Sequence, residues 1–363
     1  DVYKRQILII NIFTLLIMNI LFVGRRDPAH SLYGGYDKIA LMPQSRLLSS
    51  ERMPFYKIPL GDINKMYRFP LFYRLLRRIN LLIPDVLSHF YRWKYDITHL
   101  YYGDRMISFW PYMKSKSHKI VITIHLDIHR HRNPKLFISA LRRFDGIIVL
   151  SSEQCKYLND NYNLDAIFIP HGFIKPKFIE KIPVAVDGNK INANDINIFV
   201  AGSNYRDIET LKDVIKHVDN MGHSLYFHLV GIDRKIRNIL NEYHFVRVYN
   251  RLSDDEYFTL LSLCDYNFLP LLFATANNTL LEAQFCGVTS ILPYIGGIED
   301  YAAPSPLNIF YKSREDLFVI LPKLSKQEKK VEIMKYAEQF EWNNVWNLLN
   351  DYYKKVLDKG IAQ

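Results

Sequence analysis

Apolar residues come along this chain in short, near-continuous runs rich in β-branched side chains, each bounded by turn or capping residues. In the first half they are "NILFV" (19–23), "ITHLYY" (97–102), "KIVITIH" (119–125), "GIIVLS" (146–151) and "AIFIP" (166–170). In the second half they are "INIFVAG" (196–202), "LYFHLVG" (225–231), "VRVY" (246–249), "YNFLPL" (266–271), "VTSILP" (288–293) and "NIFY" (308–311). Such runs predict strands covered on both faces. Most are separated by segments of helix length, so each half is predicted to be an α/β domain on a mostly parallel, doubly wound sheet. Between them, "KIPVAVDGNKINAND" (181–195) gathers Pro, Gly, Asn and Asp and keeps no helical period, which marks a boundary. The predicted division is a first domain at 18–182, a linker at 183–195 and a second domain at 196–340. Two such domains leave a cleft between the carboxyl ends of their sheets, where open α/β sheets bind ligands.

The first apolar run is longer. "ILIINIFTLLIMNILFV" (7–23) is interrupted by Asn11, Thr14 and Asn19, and its 17 residues are marginal for spanning a bilayer. A membrane anchor or a signal segment is one reading, although no small-residue cleavage site follows. The preferred reading starts the first strand near Met18 and leaves residues 1–17 as an extension with no part in the fold.

At 363 residues and 49% hydrophobic content, the chain can supply two cores. Cys155, Cys264 and Cys286 form no C-x-x-C pair and are too few for a disulfide framework, which favours a reducing, cytoplasmic setting. The net charge of +10 is concentrated in the first half, where Met18 to Glu180 holds 25 Lys+Arg against 13 Asp+Glu. There, "RMPFYKIPLGDINKMYRFPLFYRLLRRINLL" (52–82) interleaves basic and aromatic residues, as a segment at an anionic membrane surface or an anionic-ligand groove would. A solvated basic helix face is the plainer alternative. Nucleic acid is not expected as a partner, because no recognised binding motif accompanies the charge.

The candidate chemistry centres on "FATANNTLLEAQFCG" (273–287), in which a single acid, Glu282, sits in an otherwise apolar helix stopped by Gly287. Asn277 or Asn278 can cap that helix, leaving backbone N–H groups and the positive dipole end toward the cleft. Glu282 follows about one turn later, roughly 6 Å along the axis. This spacing suits a nucleoside diphosphate with its phosphates on the helix end and its ribose on the carboxylate. Arg206, in "GSNYRD", can meet a diphosphate as a planar fork, and Lys212 can add a second charge. Surface pairing with Asp207 or Asp213 is the alternative for both. Gly34 and Gly35 permit close backbone approach to a ligand. His125 ends the run "VITIH". "HLDIHRH" (125–131) places His125, His129 and His131 close together, but without an H-E-x-x-H pattern or cysteine pairing no metal is expected.

With these residues in view, "TANNTLLEAQFCGVTSILPYIGG" (275–297) resembles the donor-binding signature of GT-B glycosyltransferases, particularly the retaining family-four-like enzymes. "IPHGF" (169–173), "IFVAGSNYRDIETLKDVIK" (198–216), "FHLVG" (227–231) and "LSDDEYFTLLSLCDYNFLPL" (252–271) follow the family's order. "FEWNNVWNLLNDYYKKV" (340–356) resembles its terminal helix, which implies a helix at 341–358 crossing back to the first domain. The resemblance implies two Rossmann-like domains, sugar transfer from a nucleotide-diphosphate sugar with retention, no bound cofactor, and a glycan or lipid-linked acceptor in cell-surface polysaccharide assembly. It also implies donor contacts from Gly34, Gly35, Asn277, Asn278 and Thr279, a ribose contact from Glu282, and a base held near Tyr249, largely by backbone. His125 would touch the donor sugar, Arg206 and Lys212 would stabilise the leaving diphosphate, and His171 would be a hinge residue. One departure stands out: the first acid of the family's Glu-x7-Glu pair falls at Ala274. A nucleotide-sugar epimerase, or a sugar-nucleotide-binding protein without catalysis, are the alternatives on this architecture.

Overall fold

The computed structural model describes residues 18–24, 31–43, 45–49, 83–84, 86–105, 118–131, 133–176, 185–186, 189–192, 194–222, 225–249 and 252–359. The extension at 1–17 and the basic aromatic stretch 52–82 lie outside the described residues, as does part of the linker.

The first domain is a six-stranded parallel sheet of β1 (Ile20–Gly24), β2 (Ser45–Ser49), β3 (Ile97–Leu100), β4 (Lys119–Ile124), β5 (Gly146–Val149) and β6 (Ala166–Phe168), in the order β2-β1-β3-β4-β5-β6. A short antiparallel pair, β7 (Ala185–Val186) and β8 (Asn189–Lys190), follows it. The second domain repeats the plan with β9 (Ile196–Ala201), β10 (Leu225–Val230), β11 (Val246–Tyr249), β12 (Tyr266–Phe268), β13 (Thr289–Pro293) and β14 (Ile309–Tyr311), ordered β11-β10-β9-β12-β13-β14. Every strand read as a continuous apolar run is present; the central ones are buried on both faces, and the edge strands β6, β11 and β14 are partly exposed. β2 was not anticipated. It is an edge strand, "SRLLS", with an exposed Arg46 and only Ser49 fully buried, so it never had to be apolar throughout.

Helices cover both sheets. They include α1 (Pro134–Leu141), α2 (Ser152–Tyr162), α3 (Ile208–Met221), α4 (Arg234–Leu240), α5 (Asp254–Leu263), α6 (Asn278–Phe285), α7 (Ile298–Tyr301), α8 (Arg314–Ile320), α9 (Val331–Ala337) and α10 (Trp342–Asp358). Local signals account for their starts. Asn133, Ser151, Asp207, Ser253, Asn277 and Ser313 each cap a helix with a side-chain oxygen, and Ser253 forms a full capping box with Glu256.

The last helix, α10, returns to the first sheet. Its buried Val345, Leu349, Tyr352, Tyr353 and Val356 join the core formed by Ile20, Phe22, Ile97 and Val121. Two hydroxyls fix the return: Tyr353 Oη lies 2.6 Å from His99 Nδ1, and Tyr352 Oη accepts the Ile147 N–H at 2.9 Å. His99 is fully buried, and burial, reinforced by His125, pulls its imidazole down to about 3. It therefore packs as a neutral ring.

In both sheets the strand order reverses beside the first strand, between β1 and β3 and between β9 and β12. The loops leaving the carboxyl ends of these strands meet at the seam between the domains. Direct hydrogen bonds cross it. Thr275 Oγ1 donates to the His125 carbonyl at 2.7 Å, and the Leu32 N–H donates to Asp254 Oδ2 at 2.7 Å. Tyr301 Oη donates to the Leu150 carbonyl at 2.9 Å and accepts the His171 N–H at 3.0 Å.

Candidate functional site at the domain seam

The second-domain half of the site is built on two loops. β9 ends at Ala201, and the chain turns through Gly202, at φ +84, to Arg206. β12 ends at Phe268 and runs through Ala274 and Thr275 to α6. The loops are stitched together: Leu272 N–H donates to the Tyr205 carbonyl at 2.9 Å, and Asp207 N–H to the Pro270 carbonyl at 2.8 Å.

Asn277 is the cap of α6, accepting the Leu280 N–H at 3.0 Å. Among the described residues, no protein partner takes the N–H groups of Asn278 or Thr279, so the first turn presents donors as well as the positive end of the helix dipole. Arg206 lies beside this turn. Only 7% exposed, it donates from Nε and Nη2 to the Ala201 carbonyl at 2.8 and 2.5 Å, and its Nη2 is 3.4 Å from Thr279 Oγ1. Burial lowers its guanidinium to about 10, with Tyr257 and Glu282 countering, so it remains a cation at neutral pH.

Glu282 is 7% exposed, one turn behind. Its Oε2 accepts a 2.6 Å hydrogen bond from Tyr257 Oη on α5. Burial first, and then the carboxylate, hold the Tyr257 phenol well above its ordinary range, so it stays a donor. On its other side Glu282 faces the first domain: a Cβ on Gly34 would lie 3.2 Å from Glu282 Oε1 and 3.6 Å from the Phe173 ring. Gly34 is held by Ser31 Oγ, which accepts its N–H at 2.8 Å, and Gly35 follows at φ +95. Loop 31–35 is thus shaped around the carboxylate.

His125 lies further along the seam. Its backbone N–H donates to Asp104 Oδ2 at 2.7 Å, its Nε2 meets the Tyr101 carbonyl at 2.6 Å, and its ring stands 4.6 Å from those of Tyr36 and Tyr102. His171 is buried against Tyr36 and Trp342, where the chain leaves the first domain. Ala274 is buried, and its carbonyl accepts the Gly297 N–H at 3.0 Å. A methyl group occupies the position where the family pattern has an acid.

The structure therefore gathers Gly34, Arg206, Asn277, Asn278, Thr279 and Glu282 into one group, with Gly35 beside it and His125 joined to the same loop through Thr275. It shows no described bond from Lys212 to this group: Lys212, beside the buried Leu211 of α3, pairs with Glu209 at 2.9 Å. Nor does it offer the Tyr249 side chain, which is fully buried with its hydroxyl 2.9 Å from His228 Nδ1. The loop after Tyr249 lies partly outside the described residues. Tyr257 and Thr275 were not singled out in the sequence. A signal existed for Tyr257: it sits just inside the Ser253–Glu256 capping box, on an apolar face, and a buried tyrosine needs a partner for its hydroxyl.

Among the described residues, no group of three or more His, Cys, Asp or Glu side chains gathers to hold a metal ion. No protein-family model matches the chain, and no curated protein is similar to it in sequence. Similarity to solved structures is extensive and defines the class of fold. The chain has the two-domain GT-B architecture of glycosyltransferases. It is similar to sucrose-phosphate synthase from Thermosynechococcus elongatus over 94% of this chain and 89% of that one, at 15% identity and a TM-score of 0.66. It is similar to the lipopolysaccharide outer core galactosyltransferase WaaB over 95% and 99%, at 16% identity and a TM-score of 0.61. The catalytic domain of starch synthase IV from Arabidopsis thaliana, bound to ADP and acarbose, covers 95% and is covered fully, at 11% identity and a TM-score of 0.57. The chain spans about half (54%) of the length of TarM, to which it is also similar.

Proposed function

We propose that the chain is a glycosyltransferase that moves a sugar from a nucleotide-diphosphate donor to an acceptor hydroxyl, in cell-surface glycan or polysaccharide assembly. The observation that carries this reading is the meeting of Arg206, the α6 N-terminus and Glu282 within one helical turn at the seam. The helix end and guanidinium form a positive site for a diphosphate, and the carboxylate behind them accepts hydrogen bonds from a ribose. Negative charge grows on the departing diphosphate during transfer, and donors already in place there lower the barrier without reorganising. The Gly34 loop closes over Glu282 and limits water at the donor. Support from similarity comes from the galactosyltransferase WaaB and from ADP bound to starch synthase IV. The proposed acceptor is a glycan or lipid-linked glycan at the inner face of a membrane. No described helix is long and apolar enough to cross one, and the contact in this proposal is peripheral.

Calorimetric titration of UDP, GDP and ADP tests the donor site. One nucleotide is expected to bind saturably, and Glu282→Ala to weaken it by about 1.5–3 kcal/mol, the range for a hydrogen bond to a charged group. Failure of all three nucleotides to bind the folded protein would remove the donor-site reading. Donor conversion without acceptor would instead favour an epimerase, and binding without turnover a non-catalytic protein. Tyr257→Phe keeps the ring but removes the hydroxyl that holds Glu282 Oε2. It is expected to weaken the same nucleotide about tenfold, roughly 1.4 kcal/mol, with little change in melting temperature. Unchanged affinity would mean that Glu282 needs no such support.

A further inference from the structure

Loop 125–131 leaves the carboxyl end of β4 and leads to α1. Both of its ends meet one carboxylate. Asp104, in the 3-10 turn Gly103–Arg105 that follows the neighbouring strand β3, accepts the His125 N–H on Oδ2 at 2.7 Å and the Leu126 N–H on Oδ1 at 3.1 Å. The same Oδ1 lies 3.2 Å from His131 Nε2, at the far end of the loop. The Asp104 and His131 side chains are only 5% and 9% exposed, and the His131 ring stacks on Phe137 with centroids 3.7 Å apart. A buried carboxylate is destabilising unless its oxygens are engaged; here two successive N–H groups and a ring nitrogen engage them. The turn that carries Asp104 is seated tightly. A Cβ on Gly103 would stand 2.1 Å from Ile122 Cγ1 and 2.9 Å from the Thr123 carbonyl oxygen, so the turn lies directly on the end of β4.

What this carboxylate holds is His125. The His125 carbonyl receives Thr275 Oγ1 at 2.7 Å from the loop that leads into α6, and its Nε2 lies 2.6 Å from the Tyr101 carbonyl. A carbonyl only accepts, so Nε2 carries the proton and Nδ1 is the acceptor of the neutral ring. Residues 101 and 104 thus fix the ring and the main chain of His125 from one short stretch after β3. We propose that Asp104 is a positioning residue for sugar transfer: by clipping both ends of loop 125–131 it sets where the His125 ring stands beside the donor group. The proposal rests on the donor-site reading above and adds to it a residue that acts through His125. A carboxylate that only stabilised the fold would lower the melting temperature and leave the kinetics of the folded fraction alone.

Turnover of the full chain tests it, read as nucleoside diphosphate released from UDP-glucose, GDP-mannose or ADP-glucose with water as the acceptor. Asp104→Asn keeps the shape and one carbonyl acceptor but sets an amide NH2 against an N–H. It is expected to lower kcat about tenfold, and Asp104→Ala about 100-fold, the scale of a misplacement near 1 Å. KM and nucleotide affinity are expected to stay within about twofold of the unaltered chain, since the variants leave the second-domain half of the site intact. His131→Gln leaves both N–H bonds in place and is expected to lower kcat by no more than about threefold. In a His125→Ala background, Asp104→Asn is expected to change kcat by less than about twofold, because the ring through which it acts is gone. Amide exchange gives a readout independent of turnover: His125 and Leu126 are expected to exchange at least about tenfold faster in Asp104→Asn, with β3 and β4 unchanged. Asp104→Asn, nearly isosteric, serves alone if Asp104→Ala fails to fold. Unchanged kcat in Asp104→Asn, an equal loss with and without the His125 ring, or unchanged exchange would each overturn the proposal and leave the donor-site reading standing. A folded chain that binds none of UDP, GDP and ADP and releases no diphosphate from the three donors would remove that reading, and this proposal with it.

Discussion

Arg206→Ala is expected to lower turnover by about 100- to 1000-fold, or roughly 2.7–4 kcal/mol of transition-state stabilisation, the effect of losing one preorganised donor at a developing anion. The large value follows from where the guanidinium stands. It is nearly buried, close to Thr279 in the first turn of α6, and two of its nitrogens are already spent on the Ala201 carbonyl, so its plane is set before any ligand arrives. A cation fixed in this way stabilises charge without reorganising. The assay uses the sugar of whichever nucleotide binds, and the diagnostic is the split between kcat and KM. Loss in kcat with KM nearly unchanged assigns Arg206 to the transition state, whereas a rise in KM alone assigns it to donor binding. Because the same side chain satisfies the Ala201 carbonyl, Arg206→Ala also leaves a buried acceptor unpaired and is expected to reduce stability by about 1–3 kcal/mol. Arg206→Lys separates the two effects: it keeps the charge but loses the planar fork. Activity within a few-fold of the unaltered enzyme in Arg206→Ala would limit the residue to tying loops together.

The parts of this site that were legible in sequence are those whose physics is local. Glu282 was conspicuous because a lone carboxylate in an apolar helix needs a reason, and Asn277 because an amide before an apolar run is a cap. The strands were legible because burial leaves few polar positions in short runs rich in β-branched residues. β2 was not, since an edge strand needs no such pattern. Lys212 illustrates the limit of counting along a helix: it follows Arg206 closely in sequence, but what it meets depends on how α3 packs through Leu211 and Val214, and the partner described for it is Glu209. The contact of Gly34 with Glu282 joins residues from opposite halves of the chain. Nothing local in either segment encodes it. Only the return of α10 and the bonds across the seam bring the two loops together.

That return supplies the largest expected effect on stability. Trp342, at the start of α10, is 2% exposed, and its ring centroid lies 5.6 Å from that of Tyr36, 5.9 Å from His171 and 6.1 Å from Trp346. It rests flat on bare backbone: a Cβ on Gly172 would stand 2.3 Å from Trp342 Cδ2. The backbone is clasped at the same point, with Phe173 N–H donating to the Phe340 carbonyl at 2.8 Å and Trp342 N–H to the Phe173 carbonyl at 3.1 Å. Trp342→Ala is therefore expected to cost about 3–5 kcal/mol, the transfer term plus a cavity that these fixed neighbours cannot close. Trp342→Phe, which keeps an aromatic ring, is expected to lose less. Gly172→Ala approaches the contact from the other side and is expected to destabilise by overpacking, at about 1–3 kcal/mol. Urea unfolding of the three variants gives the comparison. If Trp342→Ala shifted stability by less than about 1 kcal/mol, the clasp would not be a packing device. If the cost falls in the expected range while nucleotide binding survives in the folded fraction, the crossing helix holds the first-domain loops against a donor site that the second domain builds on its own.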